Sequence, residues 1–252
     1  MNIKYMKFGD GLRTMVILPG LSLRPVTETP QGVISAYEIF TQDFTVYLFD
    51  YREDPEEGWT IENAADDVSD ALKELDLKGV FLYGVSYGGM VAQDLAIRYP
   101  ELVSKMVLCS TVSKVHDNRW MEDWKQLAKK KEIIRLVDSF VKGVYSPGFY
   151  ERSIDIAFSM YKDLTNEDLR DFIVRIDSAE HFDLTDRLSE IRIPVFYLGC
   201  LNDQIFTTRQ MEETVNGLGC ASYFYDNCSH AIYDEEADIK EKIYDFFMKE
   251  ER

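Results

Sequence analysis

A serine at position 86 stands between glycines in Gly84-Val85-Ser86-Tyr87-Gly88, and this G-x-S-x-G spacing is the part of the 252-residue chain best suited to chemistry. A serine hydroxyl is a weak nucleophile at neutral pH. It needs an imidazole to take its proton and a carboxylate to fix that imidazole's tautomer and orientation. The chain has three histidines, His116, His181 and His230. His230 leaves the last strand-like run, in Asn227-Cys228-Ser229-His230, and a parallel sheet gathers its functional groups at the carboxyl ends of its strands. His116 and His181 follow no core strand and read as solvent or helix-end groups. The same rule selects Asp203, in Gly199-Cys200-Leu201-Asn202-Asp203, as the orienting acid. Asp226 is the rival carboxylate, but it shares the His230 loop and would have to double back to reach the ring.

Attack by such a serine on an acyl carbon gives a tetrahedral oxyanion, which needs two backbone N–H donors. Tyr87, the first residue after the serine, supplies one. The other comes from the loop after the strand at 15–18, Pro19-Gly20-Leu21-Ser22, where the Leu21 amide is the candidate.

These groups can meet only if strands and helices bring them together. The run 80–85 is apolar and of strand length, and Val91, Ala92, Leu95, Ala96 and Tyr99 continue at helical spacing. Strand, sharp turn and helix are the context a nucleophile elbow requires. Gly84 and Gly88 then stand where a Cβ would strike the neighbouring strand or helix. Upstream, 3–8 reads as an edge strand, 15–18 and 44–49 as buried strands, 31–40 as a short amphipathic helix, and 61–75 as a helix opened by Thr60. Another strand is expected at 102–110. From 112 to 188 the strand pattern stops, and four helical patterns follow, centred on Trp120 and Trp124, on Val137 and Phe140, on Ala157 and Phe158, and on Phe172 and Ile176. Alternation resumes with a strand at 193–198, a helix at 208–215 ended by Asn216-Gly217, a strand at 221–225 and a helix at 239–247. The expectation is an α/β core made of 1–111 and 189–252, with a mostly parallel central sheet flanked by helices, and an inserted helical cap at 112–188.

A formal charge of −17 and a pI near 4.6 argue against nucleic acid or anionic membrane as a partner. No apolar run is long enough to span a bilayer, and Met1-Asn2-Ile3-Lys4 lacks a basic-then-apolar leader, so a cytoplasmic location is expected. Cys109, Cys200, Cys220 and Cys228 form no C-x-x-C pair and read as reduced structural thiols, though Cys200 and Cys228 flank the candidate acid and base. With no H-x-x-x-H and no C-x-x-C, no metal or other cofactor is expected. No pattern sets an oligomeric state.

The elbow Gly84-Val85-Ser86-Tyr87-Gly88-Gly89, the loop from Gly199 to Asp203, the Ser229-His230 loop and the helical insertion resemble the α/β-hydrolase superfamily over nearly the whole chain. The chain order Ser86, Asp203, His230 is that superfamily's order. One departure is Pro19-Gly20, where many members carry His-Gly. A serine at position 86 where other branches carry aspartate argues against the epoxide hydrolases and haloalkane dehalogenases. The resemblance implies a cofactor-independent serine hydrolase acting on an ester, thioester or related acyl bond, and the apolar residues of the insertion, Trp120, Trp124, Phe140, Phe158, Met160 and Phe172 among them, are candidates to line a pocket for a small, apolar substrate. The competing implication is a non-hydrolytic member of the fold, a small-molecule receptor or a lyase.

Overall fold

Seven apolar runs pair into one sheet in the order β1-β3-β2-β4-β5-β6-β7, with β1 at Tyr5–Phe8, β2 at Arg13–Leu18, β3 at Phe44–Phe49, β4 at Val80–Val85, β5 at Val103–Cys109, β6 at Val195–Cys200 and β7 at Ala221–Tyr225. The computed structural model describes residues 3–116 and 118–250. Met1 and Asn2, used above in the leader argument, lie outside them. β1 runs antiparallel to β3 and each other pair is parallel. Parallel neighbours need crossover connections, which place helices on both faces and make the central strands apolar throughout. In β4 both Leu82 and Tyr83, which point to opposite faces, are fully buried.

One apolar layer joins the sheet to α2 (Ile61–Glu74) and α3 (Tyr87–Arg98), and the other joins it to α1 (Pro30–Ala36) and α10 (Ile239–Met248). Thr60 opens α2 through a reciprocal cap with Asn63, so its start falls where the sequence marks it. Among its described residues the insert between β5 and β6 holds four α-helices and one isolated bridge but no strand: α4 (Arg119–Lys129), α5 (Ile133–Val144), α6 (Pro147–Tyr161) and α7 (Asn166–Glu180).

Several boundaries differ from expectation: β2 begins at Arg13, and β6 runs over Val195–Cys200 rather than 193–198. The edge strand begins at Tyr5, not Ile3. The helix expected over 31–40 stops at Ala36, and a separate 3-10 turn covers 38–40. Asn216-Gly217 does not end the next helix: α8 (Thr208–Leu218) continues to Gly219, which takes the left-handed conformation with φ 60°. Gly217 is instead a packing residue, because a Cβ there would lie 2.5 Å from Leu188 Cδ1. A short helix, α9 (Ile232–Glu235), directly follows His230 and Ala231 without a sequence signal of its own.

Candidate active site

β4 ends at Val85, and Ser86 turns the chain into α3 with φ 49° and ψ −115°. Backbone in that region costs a side-chain-bearing residue about 1–3 kcal/mol and persists only where its surroundings hold it. Here the Ser86 amide donates to the Cys109 carbonyl at 2.8 Å, and the Ser86 carbonyl accepts from the Gly89 amide at 2.9 Å and from Thr111 Oγ1 at 2.7 Å. The glycines have the steric role expected of them. A Cβ on Gly88 would lie 2.1 Å from the Leu18 carbonyl oxygen, and one on Gly84 would lie 2.7 Å from that of Gly88.

The loops after β6 and β7 bring Asp203 and His230 to this turn. His230 Nε2 lies 2.9 Å from Ser86 Oγ, and Nδ1 lies 2.8 Å from Asp203 Oδ2. An ionised carboxylate can only accept, so Nδ1 carries the hydrogen and Nε2 is left to accept from the serine hydroxyl. Asp203 Oδ1 accepts from the amides of Ile205 at 2.7 Å and Phe206 at 2.9 Å, which fixes the carboxylate plane. The Phe206 ring meets the imidazole edge-on at 5.4 Å. The two loops are also joined by a thiol: Cys200 Sγ donates to the Cys228 carbonyl at 2.8 Å and accepts from the Asn202 amide at 3.3 Å. All four cysteines are free.

The rivals lie elsewhere. His116 is exposed, 3.7 Å from Glu213, and His181 caps α7 with Nδ1 2.6 Å from the Asp177 carbonyl. The exposed Asp226 accepts from the Asn227 side chain and not from His230.

The Tyr87 amide is at the first position of α3, where helix geometry provides no intrahelical acceptor. The loop carrying Leu21 passes against the serine, with the Cβ position of Gly20 3.2 Å from Ser86 Cβ. Its anchor is Tyr51, whose hydroxyl donates to the Pro19 carbonyl at 2.6 Å and whose ring meets that of Tyr87 edge-on at 4.9 Å. Asp50 holds the rest of that loop, accepting from the amides of Val26 at 2.8 Å and Thr27 at 2.9 Å. Burial drives the Tyr51 phenol well up from its ordinary range and raises that of Tyr87, so both remain neutral donors. Asp50-Tyr51 stand at the carboxyl end of β3. The rule that selects Asp203 and His230, a polar residue at the carboxyl end of a strand, applies to them as well.

Ser86 and His230 open into a cavity of about 610 Å³. The insert's share of the wall comes from α4, α5 and α6 and is largely apolar, with Met121, Trp124, Phe140, Val144, Ile156 and Met160 among its residues. Trp120, Phe158 and Phe172, also pocket candidates by sequence, do not line it. Phe172 packs behind, its ring 5.9 Å from Phe140 and 6.4 Å from Trp124. The rest of the lining includes charged residues, Arg24, Glu28, Asp234 and Lys240. Among the described residues no group of His, Cys, Asp and Glu is arranged to hold a metal ion, and no helix is long and apolar enough to cross a membrane.

Residues 14–237 match the family model described as alpha/beta hydrolase fold. Among curated proteins, "Putative carbamate hydrolase RutD" of Rhizobium rhizogenes is 25% identical over 237 residues, 87% of this chain and 86% of that one. The 3-oxoadipate enol-lactonase 2 of Acinetobacter baylyi is 23% identical over 210 residues, 81% of this chain and 77% of its own. Among solved structures, the enol-lactonase of Burkholderia xenovorans LB400 superposes with a TM-score of 0.85 at 18% identity, covering 98% of this chain and 96% of that one.

Proposed function

From the premise that the chain belongs to the α/β-hydrolase family, we propose that it is a cofactor-independent serine hydrolase of a small ester, thioester or related acyl compound. The observation that carries this reading is the unbroken chain of hydrogen bonds from Asp203 through His230 to Ser86 on the wall of one cavity. In that reading Ser86 Oγ attacks the acyl carbon as its proton moves to His230 Nε2, and Asp203 stabilises the imidazolium. The Tyr87 and Leu21 amides receive the oxyanion. Collapse breaks the bond to the leaving group, which takes the proton from Nε2. Water, with its proton taken by the same nitrogen, then attacks the acyl-enzyme and releases the acid and free Ser86. The lactonase and carbamate hydrolase names of the relatives are compatible with this acyl chemistry.

Residues 112–188 act as the cap on a core of 1–111 and 189–252, and the acyl chain runs along the cap's apolar wall. The free thiols suit a cytoplasmic location. The test is a fluorophosphonate probe together with turnover of an excess of an aryl ester. The expected result is a single adduct on Ser86 and many turnovers per protein. An adduct elsewhere, or a single turnover, overturns the reading; the latter would favour a receptor.

A further inference from the structure

We propose that the cavity wall formed by α1, α9 and α10 is a polar subsite in which Lys240 and Asp234 together hold an uncharged terminus of the acyl chain that both accepts and donates hydrogen bonds, such as a primary amide or a hydroxyl. This rests on the reading of Ser86 as the nucleophile.

Lys240 lies in the first turn of α10, and its ammonium donates to the Tyr233 carbonyl and sits 5.8 Å from the centre of the Tyr37 ring. Among the described residues no carboxylate is at ion-pairing distance from it. Two other lysines show the contrast. Lys125, buried between α4 and α7, has Glu122 at 3.3 Å, Asp177 at 3.2 Å and Glu180 at 2.5 Å, and Lys242 has Asp238 at 2.8 Å. An ammonium has three donors, and one of Lys240's is used.

Asp234 lies on the same wall and accepts one hydrogen bond, from the Tyr145 hydroxyl to Oδ2 at 2.7 Å; Oδ1 has no partner among the described residues. Burial pushes the Lys240 ammonium down and the Asp234 carboxyl up, each partly opposed by the other's charge. Lys240 is half-buried and the Asp234 carboxylate is open to the cavity, so both present unused hydrogen-bonding capacity to a ligand.

The remaining charged wall residues are otherwise placed. The Arg24 guanidinium is committed to Asp168 at 3.4 Å and to the carbonyls of Met160 and Asp163, while Glu28 ends the 3-10 turn at 26–28, outside α1, α9 and α10. A donor-only cation and an acceptor-only anion that do not touch are best joined by a ligand with both functions. A carboxylate would satisfy Lys240 but be repelled by Asp234, an ammonium would do the reverse, and an alkyl end would displace water from both without replacing its hydrogen bonds.

The experiment compares matched aryl esters whose acyl chains end in a carboxamide, a methyl or a carboxylate. With wild-type protein, kcat/KM for the amide ester should exceed both others by roughly 10- to 100-fold, the scale of hydrogen bonds to charged groups. Lys240→Met, which keeps the aliphatic stem, should bring the amide-to-methyl ratio to within about threefold. A wild-type preference for the methyl or carboxylate ester overturns the proposal, as does an unchanged ratio in folded Lys240→Met. If that variant does not fold, the wild-type order decides. Calorimetry of the amide and methyl esters with Ser86→Ala separates the two readings. Tighter amide binding without wild-type hydrolysis would remove Ser86 from the chemistry and leave the subsite standing. Hydrolysis without amide preference would do the opposite.

Discussion

The carboxyl edge of the sheet and helix α6 face each other across one cavity, and they are held by different means. At the edge, Asp203, His230, Tyr51 and Thr111 each have a defined hydrogen-bond partner and lie on strand ends or the turns that leave them. In α6 only Ala157 is buried, while Ile156 and Met160 are 62% and 41% exposed although both line the cavity. Tyr150, Ile154 and Phe158 pack its inner side against the core, and its hydrogen bonds to other elements lie near its ends. Ser146 donates from its amide to Glu235 at 2.9 Å, and Arg24 holds the carbonyls of Met160 and Asp163. Groups that must keep sub-ångström relations sit on rigid elements, and a surface that need only be apolar tolerates loose packing.

The largest expected effects lie at the edge. Ser86→Ala should lower kcat on an activated aryl ester by roughly a million-fold, and His230→Ala comparably. The backbone bonds that hold the elbow survive both changes, so unfolding midpoints should stay near wild type. His116→Ala and His181→Ala should retain activity, and a dead His181→Ala would reassign the base. Asp203→Asn should cost roughly ten-thousandfold in kcat, because an amide can present its NH2 to Nδ1 and favour the wrong tautomer. Asp226→Asn, the comparison, should have little effect; if it were the more damaging of the two, the acid would belong on the His230 loop.

A smaller effect should come from Tyr51→Phe, which removes only the bond to the Pro19 carbonyl. Losing an oxyanion donor outright costs roughly 100- to 1,000-fold, so loosening the loop that carries one should lower kcat by roughly tenfold and shift KM less. An equal loss in kcat and gain in KM would mean that Tyr51 shapes the cavity rather than the loop.

The same contrast explains what could be read in the sequence. Ser86, Asp203 and His230 were legible because strand ends carry local signatures: an apolar run, then a glycine or a polar turn. The sheet was legible for the same reason, since buried parallel strands are continuous apolar runs. Lys240 and Asp234 were not. They sit on helices whose periodicity shows only which residues face the core, and their place on one cavity wall depends on the packing of α10 against the 3-10 turn at 38–40 and against α9. The insert was intermediate. Its four helices follow from spacing, but Trp124 and Phe172 look equally apolar in sequence, and only tertiary packing puts the first on the cavity and the second behind it.

The mildest test falls on α6. Ile156→Ala with Met160→Ala should leave stability within about 0.5 kcal/mol of wild type, because exposed side chains contribute little to the folded core. Trp124→Ala, which empties a site that is 2% exposed, should instead cost roughly 3–5 kcal/mol. The double variant should show its effect against substrate. Each methylene that the acyl chain lays on an apolar wall can add up to about 0.8 kcal/mol, or roughly fourfold in kcat/KM, while the wall lasts. Removing two side chains from that wall should lower the ratio of kcat/KM for a six-carbon ester over an acetate ester by roughly fivefold, a change of about 1 kcal/mol against an incompletely buried chain. The measurement is the slope of log kcat/KM with chain length. A shallower slope at unchanged stability would mean that α6 contacts the acyl chain. An unchanged slope would mean that the chain runs along α4 and α5 instead, and that the exposed apolar residues of α6 serve some other contact.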